Sequence, residues 1–151
     1  MRCSVPVKPI VLVEDDPHHA DLIVEALRST PVANPIVTLS SGAEALAYFF
    51  GDPHGDKPRL AERECPCLVI LDLRLPDMPG FELLRRLKAN RLYELLPVML
   101  LTTSADERDI KRGYDLQANA YVTKPVDFQE LSHKVRQAGL YWVLVNEPLP
   151  G

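Results

Sequence analysis

Pro9-Ile10-Val11-Leu12-Val13-Glu14-Asp15-Asp16-Pro17 runs from a wholly apolar stretch into three acids and then a proline. A short, continuous, β-branched run of this kind suits a strand buried on both faces, as in a parallel sheet. The acids end it. Asp16 is placed to cap a helix and Pro17 suits its first turn, where a missing N–H costs nothing. The stretch to Thr30 then sets Ala20, Ile23, Val24 and Leu27 at helical spacing.

The same alternation continues along the chain. Ile36-Val37-Thr38-Leu39 reads as a second strand. Ser41 with Glu44 forms a capping-box pattern ahead of Ala43, Leu46, Ala47 and Phe50 on one helical face. Residues 51–66 are polar and rich in proline, glycine and charge, which predicts a surface loop with a helical turn near Leu60-Ala61-Glu62. Cys67-Leu68-Val69-Ile70-Leu71 is a third apolar strand ending at Asp72, and Gly80 precedes an amphipathic helix over 81–87. Pro97-Val98-Met99-Leu100-Leu101 is the fourth strand. Ser104 with Glu107 repeats the capping-box pattern before a helix toward Gly113. Ala120-Tyr121-Val122-Thr123 is the fifth strand, and Asp127 caps a helix expected to run to about Val145, with Phe128, Leu131, Val135, Ala138 and Trp142 toward the core. Alternating strands and helices with buried parallel strands imply a doubly wound α/β sheet.

Bulk properties narrow the function. The chain has 151 residues, 46% of them apolar, enough for one domain with a real core. A formal charge of −4 without a Lys/Arg cluster argues against nucleic-acid binding. No apolar run approaches membrane-spanning length, and no secretory h-region opens the chain. Three cysteines, Cys3, Cys65 and Cys67, are an odd count and supply too few ligands for structural zinc. The expectation is a reduced, cytoplasmic protein.

Open α/β sheets bind ligands at the carboxyl ends of their strands. Glu14 and Asp15 stand there after the first strand, Asp72 after the third, Thr102 and Thr103 after the fourth, and Lys124 after the fifth. Carboxylates gathered on one rim repel one another unless a cation joins them. Mg2+ suits a few carboxylate oxygens with positions left for water and phosphate, and Mn2+ could substitute. A carboxylate so placed can attack a phosphoryl group, with a lysine and a threonine hydroxyl stabilising the transferring oxygens. Taken singly, each residue reads as a cap, a turn former or a strand breaker. Asp16 and Asp127 are such caps. It is the set that points to chemistry.

In Val13-Glu14-Asp15-Asp16, Leu71-Asp72-Leu73-Arg74-Leu75-Pro76-Asp77-Met78-Pro79-Gly80, Pro97 to Thr103, and Ala120-Tyr121-Val122-Thr123-Lys124-Pro125, the chain resembles the receiver domains of two-component response regulators. The resemblance implies a flavodoxin-like fold with strand order 2-1-3-4-5. It implies Asp72 as phosphoacceptor, with Asp15, Glu14 (through water), Asp72 and the backbone carbonyl of Arg74 as metal ligands. It further implies Thr102 as switch hydroxyl, Lys124 as phosphate partner, Tyr121 as the aromatic that rotates on activation, and a cis peptide at Lys124-Pro125. Glu14 replaces the more frequent Asp, and Thr103 stands where a small residue is common.

On this reading residues 8–140 form the receiver and 141–151 a C-terminal extension. Tyr141, Trp142 and Leu144 are candidates for a homodimer or partner surface, because concentrated apolar surface usually has a partner. The tail and the 51–66 insertion resemble those of stand-alone receivers paired with phytochrome-type histidine kinases, which makes such a kinase the expected phosphodonor. Three other readings compete: a flavodoxin-like FMN binder, a haloacid-type phosphatase and a receiver-like module that only binds. The first conflicts with acids where a phosphate loop would stand. The second lacks an acid at Arg74, and the third conflicts with the complete acid, Thr and Lys set.

Overall fold

The computed structural model describes residues 8–51 and 65–145. Strands β1 (Ile10–Val13), β2 (Ile36–Leu39), β3 (Leu68–Leu71), β4 (Val98–Thr102) and β5 (Ala120–Thr123) form one parallel sheet. Its order is β2-β1-β3-β4-β5, as the sequence reading requires. Helices α1 (Pro17–Arg28), α2 (Gly42–Phe50), α3 (Gly80–Lys88), α4 (Glu107–Asp115) and α5 (Phe128–Gly139) alternate with the strands. The proline-led starts expected for β1 and β4 shift inward by one residue, and β3 starts at Leu68 rather than Cys67.

Alternate residues of each strand feed two cores. Ile10, Leu12, Leu68, Ile70, Met99 and Leu101 pack with Ile23 and Leu27 of α1 and with Leu131 and Val135 of α5. Val11, Val13, Val69, Leu71 and Leu100 meet Tyr48 and Phe49 of α2 and Leu83, Leu84 and Leu87 of α3. Burying one such aliphatic side chain contributes about 1.5–3 kcal/mol. A sheet covered on both faces therefore fixes its register firmly. That register decides which residues emerge together at the carboxyl edge.

The caps are mostly those expected. Asp16 accepts from the backbone N–H of His18 and His19, and Asp127 from that of Gln129. Ser41 accepts from Glu44 N–H, but the Glu44 carboxylate answers at Ser40 rather than Ser41. The helix after β4 is capped by Asp106, not Ser104, because Ser104 donates its hydroxyl to Asp109 at 2.6 Å. Gly113 then lies within α4, and a Cβ there would come within 2.8 Å of Leu100 Cδ1.

Three apolar expectations change. In α2 the inward residues are Ala45, Tyr48 and Phe49; Leu46 and Phe50 take the shoulder and Ala43 is exposed. The helix is apolar nearly all round, so periodicity could not choose. Phe49 settles the matter by stacking edge-on against Tyr93, whose hydroxyl donates to the Phe49 carbonyl at 2.6 Å. Phe128, at the first position of α5, is 59% exposed at the lip of a groove between α1 and α5. Finally, α5 does not continue unchanged to Val145 but widens into a π-helical turn over Leu140–Val145. There Trp142 packs against the α1–α5 core while Tyr141 and Leu144 stay exposed. The loop expectation for 51–66, with its turn at Leu60-Ala61-Glu62, falls almost wholly outside the described residues.

Candidate functional site

The ladder runs one residue past several strands and so sets the rim. Glu14 N–H donates to Leu39 O at 2.9 Å, Asp72 N–H to Val13 O at 3.0 Å, and Lys124 N–H to Thr102 O at 2.7 Å. Glu14, Asp72, Thr102 and Lys124 are the buried polar side chains among the described residues. Burying a charge without a partner is costly, so their partners matter.

The Lys124 ammonium supplies most of them. It donates to Glu14 Oε1 and, at 2.8 Å, to Asp72 Oδ2. Asp72 Oδ1 accepts from Arg74 N–H at 3.0 Å, and Glu14 Oε2 accepts from Asp16 N–H at 3.2 Å. Asp15 is exposed beside them, and one carboxylate oxygen from each of Glu14, Asp15 and Asp72 lies within 4.8 Å of the others. With all three ionised, one ammonium leaves two negative charges uncompensated, the charge of one divalent cation. Burial, reinforced by the Asp72 charge, pushes Glu14 up to about 7 despite its hydrogen bond to Lys124. Burial works against the Lys124 ammonium, but its bonds to Asp72 and Glu14 outweigh that and its pKa is raised. Hard oxygen donors, unbalanced charge and an open side at Asp15 fit a magnesium-like ion. Among the described residues these acids are the one group able to hold a metal. Cys65 and Cys67 are free thiols, Cys67 lying against the carbonyls of Lys8 and Pro9.

On the other side of the rim Thr102 is fully buried. Its hydroxyl oxygen lies 3.5 Å from Ser104 N–H, and Tyr121 donates its hydroxyl to Ser104 O at 2.8 Å. Ser104 thus ties Thr102, Tyr121 and α4 together, a role its sequence position did not suggest. The Lys124–Pro125 bond is trans, as are all described peptide bonds, contrary to the cis expectation. Trans remains the lower-energy form even before proline, and here it already delivers Lys124 to both acids.

Three contributors went unread in the sequence. Asp77 accepts from Gly42 and Ala43 N–H, both at 2.8 Å, capping α2 from 35 and 34 residues away. At Gly80 any Cβ would lie 2.5 Å from Asp72 O and 2.7 Å from Leu73 Cα, so only glycine lets α3 approach the loop carrying Asp72. The third, His19, places Nδ1 3.2 Å from Lys124 Nζ.

Residues 10–136 match the response regulator receiver domain. The chain belongs to that family. Response regulator Rcp1 of Synechocystis is 33% identical over 141 residues, 93% of this chain and 92% of its own. The Mn2+-bound form of Rcp1 superposes with a TM-score of 0.82 at 29% identity, over 95% of this chain and 99% of its own. The phosphorylated cyanobacterial phytochrome response regulator RcpA superposes with a TM-score of 0.81 at 33% identity, over 95% and 99%. A receiver domain from Rhodospirillum rubrum gives 0.83 at 41% identity, over 93% and 96%. This chain is therefore a regulatory receiver of two-component signalling, a family that takes its phosphoryl group from histidine kinases and holds a divalent metal at an acidic pocket. No described helix is long and apolar enough to cross a membrane.

Proposed function

We propose that Asp72 accepts the phosphoryl group. The observation that carries this is the placement of its buried carboxylate 2.8 Å from the Lys124 ammonium, with two further acids in reach of a shared cation. An Asp72 oxygen attacks the phosphorus of the donor, a P–O bond forms, and the bond to the donor imidazole breaks with its electron pair on nitrogen. Lys124 holds one of the transferring oxygens. The Thr102 hydroxyl donates to another, a movement that Ser104 would pass to Tyr121 and α4. Mg2+, or Mn2+ in its place, would be held by Asp15, Asp72, the Arg74 carbonyl and, through water, Glu14, and would supply positive charge for the phosphoryl oxygens. Water attacking the same phosphorus breaks the P–O bond to Asp72, leaving the electron pair on the carboxylate and releasing inorganic phosphate with the water proton, so the domain promotes its own dephosphorylation.

Residues 8–140 act as the receiver body on this reading, and 141–151 as an extension. The name of the cyanobacterial phytochrome response regulator RcpA and its likeness of fold support a phytochrome-type sensor histidine kinase as donor. The signal leaves by protein contact in the cytoplasm, without nucleic acid, from a homodimer. The exposed Tyr141 and Leu144, with Trp142 anchoring their turn, support that surface.

One experiment covers the proposal. Incubation with Mg2+ and acetyl phosphate should add the mass of one phosphoryl group to the wild type and none to Asp72→Asn. An adduct that survives the substitution would overturn the assignment. Light scattering of the same samples should give a dimer mass, and a monomer mass with and without phosphate would overturn the dimer.

A further inference from the structure

The Lys124 side chain is 3% exposed, and an ammonium has three N–H donors and no acceptor. Two of the donors serve Glu14 and Asp72, and the third points at His19 Nδ1, 3.2 Å away. A lysine can only donate. Nδ1 must then present its lone pair, which places the ring hydrogen on Nε2. The nearby Asp16 carboxylate does not compete for the role of partner. Asp16 Oδ2 is 3.8 Å from Nδ1, beyond a hydrogen bond, and Asp16 Oδ1 is engaged by the N–H groups of His18 and His19. His19 sits in the first turn of α1, a turn fixed by Pro17 and the Asp16 cap, so its ring is held by the helix rather than by the rim.

The three partners differ in what they must do during phosphoryl transfer. Asp72 would gain a phosphorus, and Glu14 would share its charge with a bound cation. Both acids therefore change their hold on Lys124 as the reaction proceeds. His19 is not among the acids grouped to hold a metal, and its contact with the ammonium involves neither reacting oxygen, so it can keep its hydrogen bond throughout. We propose that His19 is a positioning residue. It holds the Lys124 ammonium from the α1 side, so that the lysine stays aimed at the incoming phosphoryl oxygen when the acids let go. The proposal rests on Asp72 being the acceptor, and it assigns part of that site to a helix otherwise outside the chemistry.

A hydrogen bond to a charged group is among the stronger ones in proteins, and its loss here should slow phosphorylation by about tenfold. His19→Leu removes the acceptor while keeping bulk. His19→Asn restores an acceptor oxygen near the Nδ1 position. With saturating acetyl phosphate and Mg2+, His19→Leu should load Asp72 about tenfold more slowly than wild type, with the KM for the donor and the calorimetric affinity for Mg2+ unchanged. His19→Asn should return to within about threefold of wild type, since it regains one such bond. The Lys124 ammonium should give a resolved 15N–1H resonance in wild type and His19→Asn, broadened away in His19→Leu; this reads the hold on the lysine without any phosphorylation. Wild-type loading by His19→Leu, or equal slowing in both variants, would overturn the proposal. Failure of the wild type to load Asp72 would instead overturn the acceptor assignment, and the resonance would still decide whether His19 holds the lysine.

Discussion

The two halves of the rim are built differently. The β1–β3 half carries Glu14 and Asp72, both buried against the Lys124 ammonium, with Asp15 exposed beside them. The β4–β5 half carries Thr102, Ser104 and Tyr121, joined by neutral hydrogen bonds that end on backbone atoms. Removing one member of a buried ion pair costs about 3–5 kcal/mol, because its partner is left uncompensated. Removing one neutral hydrogen bond costs about 0.5–1.5 kcal/mol. The first half is therefore stiff, suited to holding a reacting centre in place. The second can rearrange for a fraction of that energy, which suits a part that reports the reaction.

The largest break in this comparison should come from Lys124→Met. It leaves Glu14 and Asp72 without their shared ammonium, and metal-free protein should lose about 3–5 kcal/mol in urea unfolding. Saturating Mg2+ should recover much of the loss by binding the folded state. A loss below about 1 kcal/mol would show the pocket to be wetter than its burial indicates.

A smaller effect follows from Glu14 alone. Its folded-state pKa is raised from 4.5 to about 7, so its favourable contribution is fully present below pH 4.5 and lost as pH rises through about 7. In EDTA the thermal midpoint should fall between pH 5 and pH 8, Glu14→Gln should remove that fall, and Mg2+ should flatten it. Near neutral pH, Mg2+ uptake should release a proton that calorimetry in two buffers detects. A midpoint independent of pH in the metal-free wild type would contradict this.

Smallest is Tyr121→Phe on the neutral half. It deletes one hydroxyl donor to Ser104 O and should cost about 0.5–1.5 kcal/mol, with faster amide exchange in the loop before α4. A cost equal to that of Lys124→Met would erase the distinction between the halves.

Most of the rim was legible because charged residues at the ends of apolar strands have nowhere to go but a shared edge. Glu14, Asp72, Thr102 and Lys124 all emerge where the strand ends put them. Asp77 was not legible, since Ser41 already offers α2 a local cap and nothing near Asp77 signals a second. His19 was not legible either: a histidine in the first turn of a helix has no local reason to meet a lysine 105 residues on.

By itself the sequence determined the elements, the caps of α1 and α5, the strand order through the family resemblance, and the gathering of acids with one lysine. Those follow from forces acting within a few residues, together with the rule that buried charge needs a partner. Only the tertiary structure decided which side of α2 turns inward and how α5 ends. It also decided that Lys124–Pro125 is trans and that the third donor of Lys124 belongs to α1. Each of these depends on how layers far apart in the chain stack on one another, and local spacing carries no record of that.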